Sequence, residues 1–203
     1  MRRLLLLLTV LALSWTAVAG EEIPLADLKD DAVAEGELGT WSLQCWGPRK
    51  DFPYLLDKLE LTDAGDGKWT TPPGHVHVLG KGIDVRMAGT QNKAAADAPL
   101  PMVVFTAKAD GVYALGGMLD GLWHDGGGGD VITWAVCTQS AKGKFRVVAT
   151  GKAAKGGKVT FADLPDTQAV ELKAGESLAV MMWKPGHWNA IGGVMRDLSV
   201  TKK

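Results

Sequence analysis

Residues 130–183 read DVITWAVCTQSAKGKFRVVATGKAAKGGKVTFADLPDTQAVELKAGESLAVMMW. Five runs rich in β-branched and aromatic residues alternate here with short joints. The runs are DVITWAVC, KFRVVAT, GKVTFA, QAVELK and SLAVMMW; the joints AKGK, AKGG, LPD and AGE supply the positive or fixed φ that tight turns require. Strands this short, this closely spaced and with no long amphipathic helix between them argue against an α/β fold. Working outward, the same grammar continues in TWSLQCW, HVHVL, IDVRM, PMVVFTA, GVYALGGML and VMRDLSV, with joints DAGDG, TPPG, ADG, GGGG and KPGH. In TWSLQCW, Trp41, Leu43 and Cys45 fall on one face and Ser42 and Gln44 on the other. One helical candidate stands apart, DFPYLLDKL at residues 51–59, where Asp51 would cap, Pro53 would fit the first turn, and Phe52, Leu55, Leu56 and Leu59 would share a face.

The pattern predicts an all-β chain, a two-layer antiparallel β-sandwich of jelly-roll type with at most one short helix. Phe105, Tyr113, Leu115, Val136, Leu172, Val180 and Leu198 are its expected core. With strands starting near 111, 130, 144, 157, 168 and 177, each antiparallel to the next, the loops at 121–129 and 184–193 are expected at opposite ends.

The N-terminus has another character. MRR is a positive n-region, LLLLLTVLALSW an apolar h-region, and AVAG an A-x-A cleavage pattern ending at Ala19. Residues 1–19 are therefore expected to be a signal peptide, 20–38 an irregular acidic lead-in, and 39–203 a single β-sandwich domain. The protein is expected to be secreted or periplasmic. The apolar run is shorter than the roughly 20 residues of a membrane span and has no later counterpart, so no membrane insertion of the mature chain is expected. Losing Arg2 and Arg3 with the leader changes 22 basic and 23 acidic residues to 20 and 23. That balance excludes a broad basic footprint, and no nucleic acid is expected as a partner. The lysines between Lys142 and Lys158 read as solvated loop charge.

Residues 102–200 carry a resemblance. VVFTAKADGVYALGGML, a glycine-rich loop, DVITWAV, and AVELKAGESLAVMMW resemble the secreted bacterial carbohydrate-binding-module-like β-sandwich domains. Those are written roughly F-T-A-P-A-D-G-x-Y-x-V, G-D-x-V and V-x-L-K-A-G-D-x-L-x-F. Ala107 to Tyr113 supply A-x-A-D-G-x-Y, with Lys108 in place of the usual proline, and Leu172 to Leu178 supply L-K-A-G-E-x-L. The likeness covers about half the chain and implies a fold. It transfers no binding residue, because ligand residues vary among such modules.

Of eight tryptophans, seven follow the leader. An indole offers a flat apolar face for the C–H side of a sugar ring and an N–H for a hydroxyl. Trp41, Trp134 and Trp183 lie on apolar strand runs and read as core. Trp123, in GLWHDGGGG, and Trp188, in KPGHWNAIGG, lie in loop sequence. Trp123, His124 and Asp125 form one candidate ligand platform, and His187, Trp188 and Asn189 a second. His75 and His77 form an H-x-H pair that resembles the opening of the cupin signature, but VLGKGIDV stands where a ligating glutamate belongs, so no metal is expected. Gly126 to Gly129 is no phosphate loop, lacking G-K-[ST] and a following helix. Ser177 in GESLA opens a strand instead of ending one, so it is no nucleophile elbow. Cys45 and Cys137, 92 positions apart, are consistent with a bridge worth about 4–5 kcal/mol or with two separate buried thiols.

These features point to an exported, non-catalytic carbohydrate-binding-like module with a polysaccharide or glycan as partner and no cofactor. The alternatives are an envelope structural or interaction protein and a metal-dependent β-barrel enzyme; no catalytic residue is assigned. N-terminal sequencing of the protein purified from its native host is expected to begin at Gly20 or within a residue or two of it. A start at Met1 would overturn the export argument.

Overall fold

A computed structural model describes residues 20–22, 33–47, 51–55, 57–63, 65, 69–70, 76–79, 83–87, 100–124, 131–154, 156–183 and 191–203. In chain order its strands are β1 (Glu21–Glu22), β2 (Val33–Glu35), β3 (Gly39–Gly47), β4 (Asp57–Leu59), β5 (Thr62–Asp63), β6 (Trp69–Thr70), β7 (Val76–Leu79), β8 (Ile83–Met87), β9 (Leu100–Ala107), β10 (Gly111–His124), β11 (Val131–Gln139), β12 (Phe145–Ala154), β13 (Val159–Thr160), β14 (Val170–Leu172), β15 (Ser177–Trp183) and β16 (Ile191–Lys202). They form two antiparallel sheets. The first runs β13–β10–β16–β8–β7–β6–β5, with β14 also on β10 and β1 on β16; the second runs β12–β11–β15–β9–β3–β2, with β4 on β3. Packed face to face, they make the expected two-layer β-sandwich.

Strand parity sets the core. Trp41, Leu43 and Cys45 of β3, Val103 and Phe105 of β9, Val136 of β11 and Val180 of β15 meet Tyr113, Leu115, Leu172, Leu198 and Val200 of the first sheet in one buried cluster. All seven expected core residues are 3% exposed or less, and Trp41 and Trp134 are buried in the same cluster. The rings of Trp41, Phe105 and Tyr113 touch in series, with centroids 5.2 and 5.6 Å apart. Each large side chain buried in this way contributes about 1.5–3 kcal/mol.

The second sheet is buried on its outer face as well. Leu100, Met102, Val104, Ala135, Cys137, Ala179 and Met181 form a second cluster there, covered by Leu55, Phe145, Trp46, Phe52 and Trp183. Trp46 on β3 and Phe145 on β12 are four pairing steps apart, about 19 Å in a flat sheet. Their ring centroids nevertheless lie 5.4 Å apart, so the sheet curls with its outer face concave. The segment at 51–55 straps this hollow, with Phe52 against Trp183 at 5.2 Å and Leu55 buried. The helix expected at 51–59 is absent: 51–54 turns and Asp57–Leu59 is a strand on β3. Tertiary burial overrides the helical spacing, because Phe52 and Leu55 are used against a sheet face and β4 completes an edge.

Two further expectations change. The described parts of the lead-in, residues 20–22 and 33–38, belong to the sandwich, since β1 pairs with β16 and β2 with β3. The Glu21 carboxylate accepts the Leu38 N–H and, at 3.1 Å, the Trp41 indole N–H, so a residue held in the first sheet is stitched to the second. Strand direction differs as well. β13 and β14 both run antiparallel to β10, pairing with Met118–Leu119 and Gly111–Tyr113 respectively. They are two pieces of one path, joined by 3-10 turns at Phe161–Asp163 and Pro165–Thr167, and the chain does not reverse between them. One reversal fewer brings the end of β10 beside the start of β16, where His124 pairs with Ile191.

Of the two readings of the cysteines, the structure selects the separate buried thiols. Both are free and buried. Cys45 points into the inter-sheet core and Cys137 into the outer cluster, from strands three pairing steps apart. A bridge needs Cα atoms within about 7 Å and Cβ vectors that converge, and neither condition is met. Burial pushes both thiols up, Cys137 to about 12. The native protein at pH 8 is therefore expected to resist a thiol reagent and to take up two equivalents on unfolding in guanidinium without reductant. Uptake of none after unfolding would reveal a disulfide.

Candidate functional site

The segments that carry the resemblance meet in space. Asp110 Oδ1 accepts the Ala174 N–H at 2.8 Å, and Glu176 Oε2 accepts the Lys173 N–H at 3.0 Å. The Ala107 N–H donates to the Glu176 carbonyl and the Gly175 N–H to the Ala107 carbonyl, both at 2.9 Å. Gly175 has φ +82°, the left-handed turn conformation that glycine adopts at least cost. Tyr113, buried at its ring, donates its hydroxyl to the Ala109 carbonyl at 2.7 Å and fixes the same corner. The A-x-A-D-G-x-Y and L-K-A-G-E-x-L pieces are thus one clamp. It joins β9 and β15 of the second sheet to β10 and β14 of the first at one end of the sandwich.

Beside this clamp lies a half-open cleft of about 700 Å³. One wall is the strap, through Pro53 and Tyr54; the other is the β11–β12 hairpin from Thr138 to Val147; Glu171 and Glu176 close the clamp side. The hairpin is held by Ser140 N–H to the Lys144 carbonyl and Gly143 N–H to the Ser140 carbonyl, with Gly143 at φ +80°. With Phe145 buried in the outer cluster, Arg146 is left exposed at the cleft. Tyr54 is 69% exposed, the largest value among the exposed large apolar side chains described.

The electrostatics are balanced. Lys144, Arg146, Glu171 and Glu176 bring two charges of each sign, and among the described residues none of the four is in an ion pair. Arg146 Nε makes only a long contact, 3.4 Å, to Thr138 Oγ1. Arg146 and Glu171 also line two neighbouring depressions of about 330 and 390 Å³. An unpaired donor fork and an unpaired acceptor thus face one space without neutralising each other.

The two tryptophan loops stand elsewhere. Trp123 and His124 are placed as backbone positions of β10, with Cα partners Gly192 and Ile191, and Asp125, His187, Trp188 and Asn189 lie outside the described residues. The pairing corrects the expectation that the loops leave from opposite ends: their flanking strands bring both to the end remote from the clamp. His75 also lies outside the described residues, and His77 is a backbone position of β7. Among the described residues no group of three His, Cys, Asp or Glu is arranged to hold a metal ion.

Sequence reasoning passed over Tyr54, Arg146, Glu171 and Glu176. Tyr54 falls inside the helical candidate at 51–59, and Arg146 stands among lysines that read as solvated loop charge. The available signal was Pro53–Tyr54 beside a polar turn, which reads equally well as an exposed aromatic. No protein-family model matches the chain, and no curated protein matches it by sequence.

Because Asp110 ties the two turns, Asp110→Ala is expected to cost about 1 kcal/mol and lower Tm by about 2–4 °C. Asp110→Asn, which keeps an acceptor oxygen, should retain most of the difference in a thermal melt.

Proposed function

We propose that the chain is an exported, non-catalytic module that binds a neutral carbohydrate in the cleft between the strap and the β11–β12 hairpin. The observation that carries this reading is the exposed Tyr54 ring beside Arg146 and Glu171, which are unpaired and share one half-open space. A sugar ring has an apolar C–H face that packs on an aromatic ring. Its hydroxyls both donate and accept, so they satisfy a guanidinium that only donates and a carboxylate that only accepts. Among the described residues, two charges of each sign leave no net attraction for a polyanion or a polycation. The cleft volume lies within the range of small-ligand sites, about 300–1,000 Å³. The leader at residues 1–19 supports a destination outside the cytoplasm.

The platform of Trp123, His124 and Asp125 with His187, Trp188 and Asn189 is a second location for the same function. The pairing of His124 with Ile191 favours it by bringing the bases of the two loops together.

A glycan array with residues 20–203, followed by calorimetry on the best ligand, tests the proposal. Tyr54→Ala and Arg146→Ala are each expected to weaken binding about tenfold, or ~1.4 kcal/mol, with the melt unchanged. If both leave affinity intact while Trp123→Ala with Trp188→Ala abolishes it, the site is at the other end. Absence of any glycan binding, with concentration-dependent self-association in ultracentrifugation, would favour an envelope interaction protein.

A further inference from the structure

We infer that the ligand is a linear saccharide held along its length, running from the Tyr54 cleft past Arg146 and Glu171 into the groove between β12 and residues 166–170. The inference rests on the saccharide reading of the main cleft and adds the ligand's form and direction. Three observations carry it. First, the cleft and the groove are continuous: Arg146, Val147 and Glu171 line both, and the groove extends by about 330 Å³ to Val148, Asp166 and Ala169. Both spaces are partly open to solvent, and the shared Arg146, Val147 and Glu171 lie where one passes into the other.

Second, the groove is walled by an unpaired strand edge. β12 pairs with β11 alone, and among the described residues no backbone group from Arg146 to Lys152 is bonded to anything else. The register slips between Val136 and Cys137, whose partners are Ala149 and Val147, so Val148 is the extra residue of a β-bulge. A bulged residue leaves its own backbone groups outside the ladder, and bulges gather beside binding sites. Free N–H and C=O groups in alternation suit a row of hydroxyls, which accept and donate in turn.

Third, the other branch from Arg146 and Glu171 lacks such groups. The depression of about 390 Å³ is floored by Gly111, Val112 and Leu172, strand residues that pair with one another. The carboxylates of Asp110 and Glu176 there already accept the Ala174 and Lys173 amides of the clamp. The path along β12 therefore offers the larger number of unmet hydrogen bonds.

The test uses residues 20–203 and three neutral series, β-1,4-, β-1,3- and α-1,4-linked glucose, each from one to six units, with Kd from calorimetry. At least one series is expected to bind, with a gain of about tenfold or more between two and four units. Ala169→Trp, which fills the groove from an exposed position, should remove that gain and leave the two-unit Kd within twofold. Asp166→Trp, also exposed, serves the same end if Ala169→Trp lowers the melt. Affinity independent of length, or a gain that survives the blocking variant, overturns the linear path and leaves the saccharide reading standing. No binding in any series overturns the linear path, and no binding on the glycan array either overturns the saccharide reading with it.

Discussion

Two turns bonded to each other organise this sandwich. The Asp110 carboxylate holds the Ala174 amide, while Ala107, Gly175 and Glu176 exchange backbone hydrogen bonds across the same gap. Inter-sheet packing by itself is non-directional and would tolerate sliding of one layer over the other. Directed hydrogen bonds between a β9–β10 turn and a β14–β15 turn fix, at one end, where both connections pass from one sheet to the other. They also decide which side chains meet: Glu171 and Glu176 flank the clamp, and the β11–β12 hairpin is brought against them. The cleft is thus a by-product of the same geometry that sets the layers.

The second constraint is the need to bury both faces of the second sheet. Its central strands LPMVVFTA and SLAVMMW are apolar almost without alternation, which is what two-sided burial demands of a strand. A flat sheet would leave the outer face to water; the curl and the strap together cover it. Pinning the strap by Phe52 and Leu55 leaves Tyr54, between them in sequence, facing outward. The exposed ring is a consequence of burying its neighbours.

These facts also explain what could be read from the chain. The strand starts at 111, 130, 144 and 177 fall within about a residue of the observed ones, because glycine and proline punctuate locally. The inner-face residues of β3, β9 and β15 follow from period-two spacing, and with them the face that Cys45 occupies. Which way a strand runs is not local. A two-residue strand followed by two 3-10 turns looks the same on paper whether the chain reverses there or continues, and that single ambiguity misplaced the tryptophan loops. The cleft was illegible for a related reason. Tyr54, Arg146 and the pair Glu171 and Glu176 come from three segments separated in sequence, and none is an unusual residue in its own segment.

The pairing of β1 with β16 carries one more consequence. Glu21 lies opposite Val200 and Glu22 opposite Ser199, so Gly20 sits at the level of Thr201, beside the C-terminal end of the last strand. The two ends of the folded unit are neighbours on one sheet. A short linker from Lys203 to Gly20 would close the chain into a ring that keeps every described strand pairing, and new termini opened in an exposed turn such as Ala141–Gly143 would leave both sheets whole. A unit whose ends meet in this way can also be inserted into a surface loop of another protein and fold there as a guest.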